Sequence, residues 1–396
     1  MPYDSTAPAA APPLGVGMVG YAFMGQAHSQ GWRTVGRVFD LPLSPQLAAV
    51  CGRDPAAVRA AAGRLGWSAA ETDWRALIAR ADVQLVDICT PGDSHAEIAV
   101  AALQAGKHVL CEKPLANTVE EAEAMAEAAR AARARGQVAM VGFNYRRTPA
   151  LALARRMVAD GRLGELRHVR VSYLQDWLVD PAFPLAWRLR KEAAGSGALG
   201  DLGAHAVDLA QHLAGSPLAG VSAQTETFVR ERPLREGEPD GELGEVTVDD
   251  AAVFTGRFGS GALASFEVTR VAAGRKNALR VELNGTLGSL AFDLERLNEL
   301  HFHDHTQAAD EAGFRRILVT EQDHPYLEGW WPPGHGLGYE HTFTHQARDL
   351  VRAIAAGTQP EPSFDDGLQV QRVLAAVEES AARDSVYTPV QAGALR

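Results

Sequence analysis

The chain has 396 residues, of which 46% are hydrophobic and 22% are charged, proportions typical of a globular protein. Its formal net charge of −11 excludes the basic excess that a nucleic-acid partner would require. The sequence contains no apolar run of the roughly 18 residues that a membrane span needs, so we expect no membrane association and a cytoplasmic location.

The first 14 residues are rich in Ala and Pro, and we expect them to form a flexible tail. The three cysteines, Cys51, Cys89 and Cys111, each lie in a short apolar run. This placement predicts buried, reduced thiols and no metal site.

From Val16 the chain alternates short apolar runs with helical patterns, as in VGMVG, LAAVCG, LVDICT, HVLCEKP and VAMVGF with helices between them. Strands that alternate with helices predict βαβ units and a parallel sheet, which we assign to residues 15–145. Thr118 is expected to cap a helix, and Gly106 and Gly136 are expected to end helices.

After Tyr145 the pattern changes to strands separated by glycine turns, such as AAVFTGRF, GALASFEVTR and NALRVELNG. This pattern predicts a second domain, residues 146–396, with a large, mostly antiparallel sheet in an α+β arrangement. Residues 236–245 are acidic and rich in glycine, so we expect an exposed loop there. The segment from Gly338 onward returns to helical patterns.

The residues Gly20, Ala22, Phe23, Met24 and Gly25 directly follow the first predicted strand and open a helix. A turn in this context lets the backbone approach a pyrophosphate, and the helix amides provide the positive end of a dipole. The turn therefore predicts a dinucleotide site, although Ala22 stands where glycine is usual.

Gly52, Arg53 and Asp54 follow the second predicted strand, where the ribose of a dinucleotide is recognised. If Gly52 occupies the deciding position, Arg53 favours NADP; if Asp54 reaches the ribose, NAD is preferred. A third interpretation is that Asp54 only caps the next helix.

Two further motifs follow the carboxyl ends of predicted parallel strands, which place them along the same crevice. The first contains Thr90, Pro91 and His95, and His95 is alternatively a helix cap. The second contains Glu112 and Lys113, whose ammonium group is suited to polarising a substrate oxygen.

The glycine-rich run that begins at Gly195 leads into a helix that carries Asp201, His205 and Asp208. Their spacings of four and three residues predict that the histidine lies beside both carboxylates on one helical face. A histidine oriented by a carboxylate is suited to proton transfer. A zinc site would need a third ligand that the sequence does not offer.

The motifs GYAFMGQAH, TPGDSHAE, CEKPLA, GFNYRR and GSGALGDLGAH occur in this order, and with them the chain resembles the Gfo/Idh/MocA family of oxidoreductases. The stretch from Ser172 to His205, together with HPYLEGWWPPGHGLGYE, is most similar to the branch that contains levoglucosan dehydrogenase. This resemblance implies a Rossmann domain, a second domain with an open sheet, and hydride transfer between a sugar or polyol and NAD or NADP. It also implies a homodimer or homotetramer formed through that sheet.

The resemblance implies roles for individual side chains. Lys113, Asp201 and His205 take the family's catalytic positions, with His205 as the acceptor of the hydroxyl proton, and Asn144 and Tyr145 lie near the nicotinamide and the substrate. Weaker candidates for contacts with a sugar are Gln175, Trp177, Trp187 and Arg188, because aromatic faces and fixed donors suit a polyol ring.

Two rival functions stay open on the sequence. Some relatives are hydrolases that use a tightly held NAD for transient oxidation, and such an enzyme would release a sugar without net formation of NADH. A regulator that binds a dinucleotide without catalysis is the other rival.

Overall fold

The computed structural model describes residues 11–237 and 241–391. Strand β1 (Pro13–Val19) overlaps the last two residues of the expected tail, and Pro13 and Leu14 pair with Ser44 and Pro45. The expectation of a tail is therefore wrong for residues 13 and 14, while residues 1–10 lie outside the described part of the chain.

Residues 13–141 form a six-stranded parallel sheet in the order β3-β2-β1-β4-β5-β6, which is the Rossmann arrangement. The remaining strands are β2 (Ser44–Cys51), β3 (Ala69–Glu71), β4 (Leu85–Ile88), β5 (His108–Cys111) and β6 (Ala139–Val141). The helices are α1 (Phe23–Val38), α2 (Pro55–Leu65), α3 (Trp74–Ala79), α4 (His95–Gln104) and α5 (Val119–Arg133). The sequence did not predict β3 or α3, which are too short to show a clear hydrophobic period.

The predicted helix ends are confirmed. The Thr118 hydroxyl accepts the N–H of Glu121 at 3.2 Å, and the Glu121 carboxylate accepts the N–H of Thr118, so the two residues form a capping box. Gly106 and Gly136 both have positive φ values, 79° and 85°, which side chains with a Cβ rarely adopt.

The second sheet has nine strands among the described residues, in the order β16-β15-β14-β13-β7-β12-β11-β8-β17. Its strands are β7 (Leu166–Leu174), β8 (Leu218–Glu226), β11 (Ala251–Phe258), β12 (Leu263–Thr269), β13 (Ala278–Gly285), β14 (Gly288–Asp293), β15 (Glu299–Asp304), β16 (Arg315–Leu318) and β17 (Thr388–Pro389). The pair β7 and β12 is parallel and the other neighbours are antiparallel, which confirms the mostly antiparallel prediction.

Part of the expected loop at residues 236–245 is a strand. Its end forms β10 (Leu243–Glu245), which pairs with β9 (Glu231–Pro233) as a small ribbon, so the prediction of an unpaired loop is wrong there. Residues 238–240 of the same loop lie outside the described part of the chain.

Helices α6 (Pro149–Ala159), α7 (Lys191–Ala194), α8 (Ala204–Ala214), α9 (His341–Ala356) and α10 (Phe364–Ala382) complete the structure. Helices α8 and α10 pack on the inner face of the second sheet, while α9 returns to α1, where Leu350 and Val351 share a core with Trp32 and Val35. Helix α10 is tied to α5 through an ion pair between Arg372 and Glu123 at 2.9 Å. The last helices therefore join the two sheets into one structure.

All three cysteines are buried and free, as predicted. Burial raises the pKa of the Cys51 and Cys89 thiols to about 12, so both are protonated at neutral pH. Within the described ranges, none of the helices combines the length and apolar character needed to cross a bilayer.

Candidate active site

A cleft of about 680 Å³ opens at the carboxyl ends of β1, β4 and β5 and is closed on its other side by the second sheet and the start of α8. Most of the residues predicted to bind coenzyme or substrate line it. They are Ala22, Phe23, Met24, Thr90, Pro91, His95, Glu112, Lys113, Asn144, Tyr145, Gln175, Trp187, Arg188, Asp201 and His205. Gly52, Arg53 and Asp54 do not belong to this lining.

The turn between β1 and α1 fits a dinucleotide because two of its positions tolerate only glycine. Gly20 has φ of 98°, and a Cβ there would lie 2.7 Å from the carbonyl oxygen of Cys89. A Cβ on Gly25 would lie 2.3 Å from the carbonyl oxygen of Gly20. Ala22 is extended at the N-cap without a side-chain cap, so the first turn of α1 presents its amides at the cleft.

Asp54, which follows β2, caps the N-terminus of α2, as one interpretation of the sequence had it. Its carboxylate accepts the N–H groups of Ala56 and Ala57 at 2.8 and 2.9 Å, and these bonds lower the pKa of Asp54. The ring of Tyr21 packs on Gly52, where an added Cβ would lie 2.0 Å from the ring. Any role of Arg53 or Asp54 toward a ribose stays a prediction.

His95 is the first residue of α4 and is 1% exposed, with both ring nitrogens directed at backbone carbonyls. Nε2 lies 2.9 Å from the carbonyl oxygen of Thr90, and Nδ1 lies 3.1 Å from that of Pro114. The ring thus ties the loop after β4 to the loop after β5. A contact between His95 and a coenzyme stays a prediction.

Lys113 and Asp201 meet in the cleft although 88 residues separate them. Lys113 Nζ donates to Asp201 Oδ1 at 3.0 Å and to the Asp201 carbonyl oxygen at 2.8 Å. Although burial opposes it, the charges of Lys113 and Arg270 hold the pKa of Asp201 well below its ordinary value of 3.8. The pair is therefore ionised, and the ammonium group has a fixed position.

Asp201 does not lie on a regular α-helix, as the four-residue spacing had suggested. Residues Leu199–Gly203 form a π-helical turn that precedes α8. The carboxylate of Asp249 caps this turn and accepts the N–H groups of Gly197 at 2.7 Å and Leu199 at 2.8 Å. The turn directs Asp201 toward Lys113, and such turns are frequent at functional sites.

His205 is 6% exposed and lies among aromatic rings. The ring centroids of Tyr145, Phe143 and Tyr173 lie 4.5, 6.0 and 6.1 Å from that of the histidine. Burial first, and then the charge of Lys113, hold the pKa of His205 well below 6.5, while Asp201 acts in the opposite direction. The imidazole is therefore neutral at neutral pH and able to accept a proton.

The prediction that Asp208 is a second partner of His205 is wrong. Asp208 instead accepts hydrogen bonds from two nitrogens of the Arg146 guanidinium, from Nε at 2.9 Å and from Nη2. Burial raises the pKa of Asp208 to about 6, and the charge of Arg146 opposes that rise. Asp208 therefore belongs to a buried ion pair that joins α8 to the segment before α6.

The polar side chains in the cleft that the sequence did not predict include Tyr173, Asn277 and Arg270. Tyr173 OH donates to Asn277 Oδ1 at 2.7 Å and lies 2.9 Å from Tyr145 OH. Gln175 Nε2 donates to the same Asn277 oxygen at 2.8 Å, so these side chains form a continuous polar wall. The sequence carried no signal for this wall, because β7 and β13 are about a hundred residues apart.

Arg270 is 1% exposed, and its Nε has no hydrogen-bond partner among the described residues. It lies at the end of β12 and over the ring of Trp177, 5.6 Å from the ring centroid. Nearer the mouth, the Arg188 guanidinium stacks on Trp187 at 4.4 Å, which confirms that these two predicted residues lie at the cleft. The cleft thus combines aromatic faces with fixed donors.

The Rossmann sheet, its glycine turn and the polar cleft define a dinucleotide-dependent oxidoreductase. Two family models match the chain: residues 14–143 match an oxidoreductase family with an NAD-binding Rossmann fold, and residues 151–291 match the GFO/IDH/MocA C-terminal domain. The chain belongs to the GFO/IDH/MocA family of oxidoreductases.

Several characterised or solved proteins are similar along nearly the whole chain. Levoglucosan dehydrogenase from Pseudarthrobacter phenanthrenivorans is 44% identical over 383 residues, which cover 94% of this chain and 97% of the relative. A solved levoglucosan dehydrogenase in complex with NADH and levoglucosan has a TM-score of 0.91 and 43% identity, covering 96% of this chain and 100% of the other. An oxidoreductase domain protein from Kribbella flavida has a TM-score of 0.93 and 65% identity, with 96% and 100% covered.

Proposed function

We propose that this protein oxidises a secondary hydroxyl of levoglucosan, or of a closely related anhydrosugar, with NAD as the hydride acceptor. The observation that carries the proposal is the meeting of Lys113, Asp201 and His205 in one cleft beside the glycine turn. The relative with 44% identity and the related complex with NADH and levoglucosan support the choice of sugar and of coenzyme.

In the proposed reaction His205 takes the proton of the substrate hydroxyl, because its imidazole is neutral and sits in a cleft with low water access. Lys113 donates to the same oxygen and stabilises its developing negative charge. Asp201 holds Lys113 in place through the 3.0 Å ion pair. The nicotinamide, when bound, supplies the acceptor for the hydride that leaves the carbinol carbon.

For the coenzyme, we assign the pyrophosphate to the first turn of α1 and the nicotinamide end to the region of Thr90, Pro91, Glu112 and Asn144. The glycine turn has the space that a pyrophosphate needs. Asn144 is 3% exposed, and its Nδ2 donates to the hydroxyl of Thr342 at 2.8 Å, which fixes its carboxamide at the cleft. We assign ribose recognition to the segment Gly52, Arg53 and Asp54.

For the substrate, we assign the polar wall of Tyr173, Gln175 and Asn277 to the hydroxyl groups of the sugar. Tyr145 lies against His205 and completes this wall. Trp187 and Arg188 supply an aromatic face and a cation at the mouth. A compact sugar with several hydroxyl groups matches this combination of stacking surface and fixed hydrogen-bond partners.

The decisive test is an assay of the purified protein with NAD and NADP against levoglucosan, aldoses and inositols, with formation of the reduced coenzyme as the signal. We expect turnover of levoglucosan with NAD. His205→Ala should lower kcat by roughly a hundredfold to ten-thousandfold, the range for loss of a general base, with little change in NADH affinity. Release of a sugar fragment without NADH would overturn the proposal in favour of a hydrolase, and NADH binding without any turnover would favour a regulator.

We further propose two domains, residues 15–145 for the coenzyme and 146–396 for substrate and assembly, in a cytoplasmic homodimer or homotetramer. The outward side chains of β7 and β11–β14 form an open face that includes Arg170, Val253, Ser265, Arg280 and Glu282, around a depression of about 550 Å³. Charges of both signs on one face suit the pairing of two identical copies about a two-fold axis. The buried free thiols are consistent with a reducing compartment.

A further inference from the structure

His28 of α1 lies buried between two carboxylates, outside the groups used in the proposed reaction. Its Nδ1 lies 3.0 Å from both carboxylate oxygens of Asp87, and its Nε2 lies 2.9 Å from Oε1 of Glu112. The three residues are 2%, 0% and 4% exposed. Two buried anions on one ring demand a positive charge between them, because an uncompensated buried carboxylate is very costly.

The hydrogen-bond geometry favours a ring that is protonated on both nitrogens. An ionised carboxylate can only accept hydrogen bonds, so each ring nitrogen that faces one must carry a proton. Trp32 Nε1 also donates to Asp87 Oδ2 at 2.7 Å, which keeps that carboxylate an acceptor. The other titratable groups that face the ring are Cys89, just after β4, and Tyr339, just before α9.

The electrostatic balance agrees with this assignment. Burial is the largest single influence and lowers the pKa of His28, but the contributions of Asp87 and Cys89 together outweigh it, and the pKa of the ring lies well above 6.5. His28 is therefore protonated at neutral pH.

Glu112 connects this trio to the cleft. Its Oε2 accepts the backbone N–H of Lys113 at 3.2 Å, while its Oε1 is held by His28. A Cβ on Gly142 would lie 2.6 Å from the same Oε1, so only glycine leaves room for the carboxylate in this position. The backbone of Lys113 is therefore linked to His28 of α1 through Glu112, whose two carboxylate oxygens contact the Lys113 N–H and the His28 ring.

We propose that His28 is a positioning residue: a permanently charged imidazolium that locks Glu112 and, through it, the backbone of Lys113. Its effect on turnover rests on the proposed dehydrogenase function, whereas its protonation state does not. Helix α1 carries the dinucleotide turn at its start, so the same helix positions the coenzyme and the ammonium group.

A buried metal ion is the competing explanation. Ligand atoms of His28, Asp87 and Cys89 lie within 4.8 Å of one another. The imidazolium assignment predicts that no ion binds there, because both ring nitrogens already carry protons. Metal analysis of the purified protein must therefore find less than one ion per chain.

The direct test is a magic-angle-spinning 15N spectrum of histidine-labelled enzyme at about pH 8.5, where ordinary histidines are neutral. We expect one ring with both nitrogens protonated. The signal is assigned by its loss in His28→Gln and, independently, by its shift in Trp32→Phe, which keeps the histidine. An unprotonated nitrogen on that ring, or a stoichiometric metal ion, would overturn the proposal.

The kinetic test compares His28→Gln with the matched control Trp32→Phe. In His28→Gln we expect kcat to fall tenfold to a hundredfold, while KM for the sugar and the stoichiometry of NADH binding stay unchanged, because a small displacement of a catalytic group lowers turnover without loss of the site. Trp32→Phe should keep kcat within about threefold, because Nδ1 and Nε2 keep their partners.

The kinetic and 15N measurements distinguish the ways in which the proposal can fail. Equal kcat values in the two variants would remove His28 from the positioning role even if the ring is charged. If the wild type oxidises no sugar, the dehydrogenase function fails, yet the 15N spectrum still decides the charge of the ring. Should His28→Gln not fold, Asp87→Asn takes its place in the kinetic test, since it removes one anion and keeps the histidine.

Discussion

At the scale of single residues, the chemistry of the cleft depends on a charged Lys113 beside a neutral His205. His205 is suited to accept a proton because burial and the Lys113 charge both disfavour its protonated form. Lys113 keeps its own position because Asp201 accepts two of its hydrogen bonds, one by side chain and one by backbone. The Lys113 ammonium group thus helps burial to keep His205 neutral, and the proposed reaction assigns to it the polarisation of the substrate oxygen as well.

This arrangement predicts the pH dependence of kcat/KM. Since the pKa of His205 lies well below 6.5, activity should rise as pH increases through that low pKa and should be level above about pH 6.5. Lys113→Met removes one of the two causes of the shift, so the acidic limb of its residual activity should move to higher pH. Lys113→Arg keeps the charge and should leave the limb in place. A limb at the same pH in Lys113→Met would contradict the coupling.

Part of this site was predictable from the sequence, and the reason is local spacing. Lys113, Asp201 and His205 stand in short motifs that carry chemistry, and the family resemblance placed them in one cleft. The partner of Asp208 and the contacts of Tyr173 with Asn277 were not predictable, because they join residues that are far apart in the chain. His28 escaped notice because it follows the pattern of an ordinary buried position on α1.

At the scale of elements, the π-helical turn at Leu199–Gly203 is the piece that places Asp201, and Asp249 is its cap. Asp249→Ala would leave two backbone N–H groups without an acceptor and should cost about 1–2 kcal/mol of stability. Because Asp201 would then shift with the turn, we expect kcat to fall by about a hundredfold with unchanged NADH affinity. Stopped-flow kinetics measure kcat, and equilibrium binding measures the affinity for NADH.

Asp249→Asn is the matched control for this prediction. The asparagine keeps one acceptor oxygen and nearly the same volume, so its kcat should lie between those of the wild type and the alanine variant. If Asp249→Ala retains wild-type kcat, the cap does not position Asp201.

A second prediction for the elements concerns the pair formed by Arg146, which precedes α6, and Asp208 on α8. Arg146 is 7% exposed, and Arg146→Met would leave the buried Asp208 carboxylate without its main partner. We expect a loss of about 3–5 kcal/mol in the free energy of unfolding, measured by urea denaturation. Arg383→Met removes an exposed ion pair with Glu379 and should cost less than about 1 kcal/mol. Similar losses of unfolding free energy in both variants would show that the buried pair stabilises the fold no more than the exposed pair does.

The two sheets differ in how much of their structure the sequence predicts. The parallel sheet was predictable because each strand and helix carries its own period and its own caps, as at Thr118. The strand order of the second sheet was not, because the pairing of β7 with β12 and β13 is set by side chains that meet only after folding. Short elements such as β3 lack the length to show a period at all.

At the scale of the whole molecule, the described structure covers one face of the second sheet and leaves the other open. The inner side chains, such as Phe254 and Phe266, are buried and stack on each other with ring centroids 4.4 Å apart. The outer ones carry ion pairs such as Arg170 with Glu282 at 2.9 Å, beside Val253, which is 55% exposed. This open face is the surface through which we propose that copies of the chain associate.

The proposed homo-oligomer can therefore be tested by a single substitution on the open face. The wild type should sediment as a multiple of the 42.3 kDa chain, and Val253→Lys should shift it toward the monomer, because a buried unpaired ammonium group is costly at an interface. Phe228→Lys, at an apolar position 62% exposed outside the large sheet, is the control and should leave the assembly intact. Because Lys113, Asp201 and His205 all come from one chain, dissociated Val253→Lys should retain most of its kcat. A wild type that sediments at 42.3 kDa would refute the assembly and leave the proposed chemistry untouched.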